Sequence, residues 1–243
     1  MNMPNANHDT EKSTEQGTVQ IKTSLQKTVN KTWQRIGVLG GTFDPIHYGH
    51  ITPAIENAKW LSLDQLHLLP AHIPPHKEQT TVNAEHRKAM VELVCQQFPT
   101  FKLDARELLK HSPSYTVESI KDISEQYQDA QVFFIIGMDS LLTFTSWYQW
   151  QDILNHCHLV VNTRPEYDVN KLSETCYESL SPYFINELNE LGSTKSGKVI
   201  FHQHANIDIS STAIRQELKA NIFDEKKLLP NVINYIQQHQ LYK

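Results

Sequence analysis

Cysteine is scarce: Cys95, Cys157 and Cys176 are the only three in 243 residues, and no two stand as C-x-x-C. Three scattered thiols cannot build a disulfide framework, and without a paired motif they give no structural zinc site, so a reducing compartment is expected. Long apolar runs are missing as well. No stretch approaches the ~20 residues of a membrane helix, and the opening residues have no apolar core of the kind a signal peptide carries. Nor is there a basic excess: 22 Lys and Arg against 27 Asp and Glu leave a formal charge of -5. That balance disfavours broad binding to nucleic acid or to an anionic membrane, because neutralising many phosphates takes a surplus of cations. The absences point to the cytoplasm and to phosphate chemistry that is local if it occurs.

What is present begins with a segment rich in Asn, Thr, Gln and Lys whose few apolar residues keep no period. Such composition cannot offset the entropy of ordering, so residues 1–33 are expected to be a disordered tail and residues 34–243 one domain. From Arg35 short apolar runs alternate with helical periods, the pattern of parallel βα units. Strands are expected at Ile36–Leu39, Leu66–Leu69, Phe101–Leu103, Val132–Ile136, His158–Val161 and Val199–His202. Between them Ile51, Ala54, Ile55 and Ala58 repeat on one helical face, as do Met90, Leu93 and Val94, then Val117, Ile120 and Ile123. The segment Tyr167–Ser196 reads as polar and helical in places, and Pro230 opens a final helix bearing Val232, Ile233 and Ile236. The fold expected is α/β, a doubly wound and mostly parallel sheet with a small helical C-terminal part. Ligands of such sheets sit outside the carboxyl ends of the strands, which directs attention to the loops there.

The first strand runs into Gly40 and Gly41, whose missing Cβ atoms would let phosphate approach the backbone, although a tight turn would need the same pair. The loop lacks the G-K-[ST] ending of a Walker A and the G-x-G-x-x-G spacing of a dinucleotide fold. His47 and His50 fall three apart around the start of the next helix and so project from nearly one face. A helix N-terminus offers free N–H groups and a positive dipole end, and imidazoles gain charge as a phosphate raises their pKa. A metal reading is weaker, since two histidines need further ligands and no H-E-x-x-H accompanies them. Near the other end, I-D-I-S-S-T-A-I-R sets Ser210, Ser211 and Thr212 at a helix start with Arg215 one turn beyond Ser211. This is a second anion trap or, taken alone, a plain N-cap beside a surface Arg.

The stretch G-G-T-F-D-P-I-H-Y-G-H, residues 40–50, together with the distal I-S-S-T-A-I-R closely resembles the nucleotidyltransferases known by an H-x-G-H signature. Four further segments, in order, narrow the resemblance to the bacterial nicotinate-nucleotide adenylyltransferases: P-P-H-K with His76 and Lys77, P-S-Y-T with Tyr115 and Thr116, I-I-G-M-D-S with Gly137 and Asp139, and S-W-Y-Q-W with Trp147 and Tyr148. It runs from about residue 35 to the C-terminus. The resemblance implies a Rossmann-like nucleotidyltransferase fold and transfer of AMP from ATP to nicotinate mononucleotide, giving nicotinate adenine dinucleotide and pyrophosphate in NAD biosynthesis. It further implies that ATP meets Gly40, Gly41, Thr42, Phe43, His47, His50, Gly137, Asp139, Ile209, Ser210, Ser211 and Arg215. Lys77, Tyr115, Thr116, Trp147 and Tyr148 would meet the mononucleotide, with Trp147 stacked on the pyridine ring and the others near its carboxylate. His47, His50, Lys77 and Arg215 would carry catalysis. Mg²⁺ would ride on the ATP phosphates, so no metal-ligating residue is named. Arg164, in T-R-P after a strand, is a further position that the resemblance singles out.

Blander readings stay open at this point. Trp147 and Trp150 lie three apart, so one of them is expected in the core, and Asp139 could cap the helix that begins D-S-L-L. The P-P-H-K segment could be an ordinary surface loop. An enzyme acting on nicotinamide mononucleotide or on pantetheine phosphate, and a nucleotide- or RNA-binding protein without turnover, are the competing functions. A fragment of an aminoacyl-tRNA synthetase would share the signature, but K-M-S-K-S is absent. Oligomeric state is not legible.

Overall fold

In the computed structural model, which describes residues 33–72, 80–109, 115–163, 172–203 and 207–243, all six expected strands form. β1 (Gln34–Gly41), β2 (Gln65–Pro70), β3 (Phe101–Leu103), β4 (Ala130–Gly137) and β5 (His158–Thr163) are followed by a two-residue strand, β6 (Phe184–Ile185), and by β7 (Val199–Gln203). β6 lies in the polar segment where only helical pieces were expected; two residues are too short to display an alternation. The strands make one sheet in the order β3-β2-β1-β4-β5-β7-β6, and every pairing is parallel. The sheet is thus wholly rather than mostly parallel among the described residues. From the neighbours β1 and β4 the chain proceeds in opposite directions, through β2 to β3 on one side and through β5 on the other, where β7 inserts between β5 and the edge strand β6, so the crevice of a doubly wound sheet opens between the carboxyl ends of β1 and β4.

Burial follows the two-residue period of the strands. In β4, Val132, Phe134 and Ile136 join one hydrophobic cluster while Phe133 and Ile135 join the other, and in β5 Leu159 and Val161 oppose Val160 in the same way. Helices cover both faces. On one lie α1 (Tyr48–Trp60), α2 (Ala84–Gln97), α7 (Ser211–Lys219) and α8 (Pro230–Gln238); on the other lie α3 (Thr116–Gln126), α4 (Met138–Leu141), α5 (Trp150–His156) and α6 (Glu174–Leu180). The expected helical faces are the buried ones: Ile51 and Ala54 in α1, Met90 and Val94 in α2, Val117, Ile120 and Ile123 in α3, and Val232, Ile233 and Ile236 in α8. In α2 the buried stripe also includes Arg87, which has no exposed surface.

The described residues belong to one compact unit, Lys31–Lys243. The expected tail falls outside them except for Trp33, a half-buried residue whose indole lies 5.1 Å from the Lys195 ammonium. The P-P-H-K segment with His76 and Lys77, and Arg164, also lie outside them. Among the described residues no helix is long and apolar enough to cross a membrane.

Candidate active site

A cleft of about 1280 Å³ opens at the carboxyl ends of β1 and β4. Gly40, Gly41 and Thr42 reach it from β1, Gly137 and Asp139 from the end of β4, His47 and His50 from the start of α1, and Ile209, Ser210 and Ser211 from the start of α7. Tyr115, Thr116, Trp147 and Tyr148 complete the opposite side. Segments more than a hundred residues apart in sequence therefore converge on one site. Of the residues implied for ATP, Phe43 and Arg215 do not line the cleft.

His47 takes the N-cap position of α1 with an extended backbone, φ -150° and ψ 171°. Its backbone N–H donates to His50 Nδ1 at 3.4 Å, which leaves the proton of a neutral His50 ring on Nε2. The two imidazole centroids stand 3.9 Å apart, and His47 Nε2 shares a 3.0 Å hydrogen bond with Ser211 Oγ across to α7. Only glycine fits between them: a Cβ on Gly49 would sit 2.9 Å from His47 Nδ1 and 3.0 Å from the Ile209 carbonyl oxygen. Burial, with the neighbouring His50 adding to it, pulls the His47 pKa down to about 2, and burial alone pulls His50 down to about 4. Without a ligand both rings are neutral at pH 7, and their charging awaits an anion.

Beneath this surface the loop is fixed by buried polar contacts. Phe43 adopts φ +50°, a strained value for an aromatic residue; its ring is buried and meets His50 edge-on at 5.2 Å. Asp44 is buried, with Oδ2 accepting from the Thr81 N–H at 2.8 Å and Oδ1 from the Tyr242 hydroxyl at 2.8 Å. Arg87 spreads its guanidinium over three carbonyls, donating to Thr42 at 2.8 Å, Ala71 at 2.6 Å and His72 at 2.8 Å. Arg215 donates to the Asp44 carbonyl at 2.8 Å and to Thr212 Oγ1 at 3.1 Å. It borders a separate recess with Thr81, Thr212, Gln216 and Lys219. Ser210 acts as the N-cap of α7, its hydroxyl accepting from the Ala213 N–H at 3.2 Å.

The facing side is aromatic and open. Trp147 packs on Phe144 at 5.4 Å and Phe134 at 6.3 Å while still lining the cleft. Trp150 turns instead to Phe144 at 6.1 Å and Tyr183 at 6.4 Å, away from the lining. Tyr115 and Tyr148 are 42% and 56% exposed, their rings 4.8 Å apart. Asp139 is not the cap of α4. Gly137 holds that position, and the Asp139 carboxylate folds back to within 2.5 Å of where a Cβ on Gly137 would lie. Among the described residues no group of three or more His, Cys, Asp or Glu is placed to hold a metal ion.

The motif reading passed over Gly49, Asp44, Arg87 and Tyr242 as functional positions. For Arg87 a signal existed, because a charged residue in phase with Met90, Val91 and Val94 on a buried helical face needs partners. For Tyr242, next to the chain end, there was none.

Residues 38–217 match the family model described as Cytidylyltransferase-like, so fold, cleft and match together define a nucleotidyltransferase. A Shewanella frigidimarina protein named "Probable nicotinate-nucleotide adenylyltransferase" is 45% identical over 210 residues, covering 86% of this chain and 100% of its own length. A Psychromonas ingrahamii protein of the same name is 40% identical over 86% of this chain and 98% of its own. The chain belongs to the nicotinate-nucleotide adenylyltransferase family. The fold recurs in the Plasmodium falciparum nicotinic acid mononucleotide adenylyltransferase complexed with NaAD, at a TM-score of 0.64 and 19% identity over 86% of this chain and 97% of that one.

Proposed function

We infer that this cleft moves AMP from ATP to nicotinate mononucleotide, forming nicotinate adenine dinucleotide and releasing pyrophosphate, a step of NAD biosynthesis. The observation that carries the reading is the division of the cleft into a wall of N–H, hydroxyl and imidazole donors and a facing wall of open aromatic rings. The first suits a triphosphate and the second a pyridine ring.

A 5′-phosphate oxygen of the mononucleotide attacks the α-phosphorus of ATP; a new P–O bond forms as the bond from that phosphorus to the bridging oxygen breaks, and pyrophosphate leaves. The attacking group is already an anion, so no Ser or Cys nucleophile is needed. The barrier lies in bringing two polyanions together and in stabilising charge on the α-phosphate and the leaving group. His50 donates through Nε2–H. His47 and Ser211 exchange their mutual hydrogen bond for phosphate oxygens, and the free amides at the start of α7 add donors. Gly40 and Gly41 let the nucleotide lie against the backbone, with Thr42 and Phe43 continuing that loop and Ile209 lying opposite. Gly137 and Asp139 meet the riboses. Arg215 turns from the Asp44 carbonyl, and Lys77 joins it at the reacting phosphates. Trp147 stacks on the pyridine ring while Tyr115, Thr116 and amides near Tyr148 receive the carboxylate. Mg²⁺ accompanies the nucleotide as part of the substrate and neutralises phosphate charge. The location is cytoplasmic, in keeping with three free cysteines.

The test is pyrophosphate release by purified protein with ATP, Mg²⁺ and one acceptor at a time. Turnover should be fastest with nicotinate mononucleotide, slower with nicotinamide mononucleotide and absent with pantetheine phosphate. No turnover with any acceptor would refute the reading.

A further inference from the structure

The wall that carries the histidines continues beyond them. Along α1 the cleft is lined by His50 and Pro53, and one turn past Pro53 the fully buried Asn57 hydrogen-bonds to Asn162 at the end of β5, which also lines the cleft. The orientation of these two amides is determined by their surroundings. Asn57 approaches the Pro53 carbonyl at 2.8 Å, and a carbonyl only accepts, so the Asn57 atom there is Nδ2. Its second hydrogen points to Asn162 at 2.9 Å, so the Asn162 atom that receives it is Oδ1. Asn57 Oδ1 in turn accepts from His202 Nδ1 at 3.1 Å, which fixes that tautomer, and the His202 ring is held flat against Trp60 with centroids 4.1 Å apart and planes within 7°. The chain of bonds leaves Asn162 Nδ2, with two hydrogens, as a preoriented donor on the cleft wall.

We propose that Asn162 reads the adenine base of ATP by donating from Nδ2 to a ring nitrogen, oriented by the Asn57–His202 relay behind it. The proposal rests on the AMP-transfer reading. A triphosphate held at the start of α1 places its base on the same wall, and the seven residues from His50 to Asn57 span about 10 Å of helix, a distance suited to the ribose between phosphate and base. The acceptor-rich edges of adenine are what a donor amide pairs with. Asn57, His202 and Trp60 are positioning residues in this scheme; of these four side chains Asn162 alone touches the nucleotide.

The test uses steady-state kinetics with ATP and with 1-deaza-, 3-deaza- and 7-deaza-ATP, each replacing one ring nitrogen by C–H. Wild-type enzyme should show a KM about three- to tenfold higher for one of the three analogues, the effect of one hydrogen bond. Asn162→Ala should raise the KM for ATP by the same factor, leave the KM for nicotinate mononucleotide unchanged, and handle that analogue as well as it handles ATP. Should the variant fail to fold, the analogue series on the wild type still decides: three analogues equal to ATP would overturn the proposal. So would an Asn162→Ala enzyme with an unchanged KM for ATP, or one that still distinguishes the sensitive analogue from ATP as the wild type does. A wild-type enzyme that turns over neither ATP nor any analogue would overturn the AMP-transfer reading, and this inference with it.

Discussion

The two walls of the cleft are built differently. On the α1 and α7 side, each functional group is held from behind: His47 by Ser211, His50 by the His47 amide and the Phe43 ring, and the loop between by Asp44, Arg87, Arg215 and Tyr242. On the α3 and α4 side, Tyr115 and Tyr148 are exposed and lean on each other, and only Trp147 leans on buried rings. Donors that must meet developing charge act best when already in place, since reorganising them would cost part of the stabilisation they offer. A stacking surface needs less: any orientation that presents a ring face contributes. In the proposed reaction the preorganised wall serves the phosphates of ATP and the open wall the acceptor, and substitutions on the two should separate effects on ATP from effects on the mononucleotide.

The largest effect is expected from His50→Ala, which should slow turnover by roughly a hundredfold to a thousandfold, the scale for loss of one preorganised donor. Circular dichroism should find its helical content unchanged; an unaltered rate would make the ring structural. On the facing wall, Trp147→Ala should raise the KM for nicotinate mononucleotide about five- to 150-fold, corresponding to ~1–3 kcal/mol of stacking, and leave that for ATP almost unchanged. Trp150→Ala, outside the lining, is the control. A Trp147 variant that only melts earlier would move that residue from the site into the core.

Arg87→Met probes the support beneath the phosphate wall. It leaves three carbonyls without their donor in a buried place, a cost of about 3 kcal/mol or more, and at ~2–4 °C per kcal/mol the melting temperature should drop by roughly 6–12 °C. A drop below about 2 °C would mean that the loop holds its own shape. The preorganisation of the same wall has a pH signature. His50, held at about 4, and His47, at about 2, bind fewer protons folded than unfolded, where a histidine titrates near 6.5. Stability is therefore full above about pH 6.5 and declines as pH falls toward 4. Melting temperatures at about pH 7 and pH 5 should differ accordingly, and a non-hydrolysable ATP analogue should narrow the gap by raising both pKa values. Removal of residues 1–32, which spares the half-buried Trp33, should have the smallest effect, leaving melting temperature and turnover nearly unchanged; a large loss of either would show that this segment packs on the domain.

Much of the fold was legible because periodicity reports burial on both faces of the sheet: the alternating β4 residues and the three-and-four spacing in α3 and α8 lead directly to their places. β6 was not, for two residues carry no period. The cleft was legible where the chemistry is local, as in H-Y-G-H, whose two histidines share one helix start. It was least legible where the cleft is supported by buried hydrogen bonds between distant segments. Tyr242 meets Asp44 across 198 positions, and Asn57 meets Asn162 across 105. Nothing in the sequence around Asn57 distinguishes it from an exposed helical Asn. Arg215, whose place one turn into α7 was correctly read, is bound to the Asp44 carbonyl in the ligand-free fold, which the motif alone does not reveal.

The division of labour between the walls is tested most directly by calorimetric titration of wild type, His50→Ala and Trp147→Ala with a non-hydrolysable ATP analogue and, separately, with nicotinate mononucleotide. The account predicts that Trp147→Ala loses affinity for the mononucleotide alone and that His50→Ala loses affinity for the nucleotide triphosphate alone. Equal losses of both ligands in either variant would contradict it.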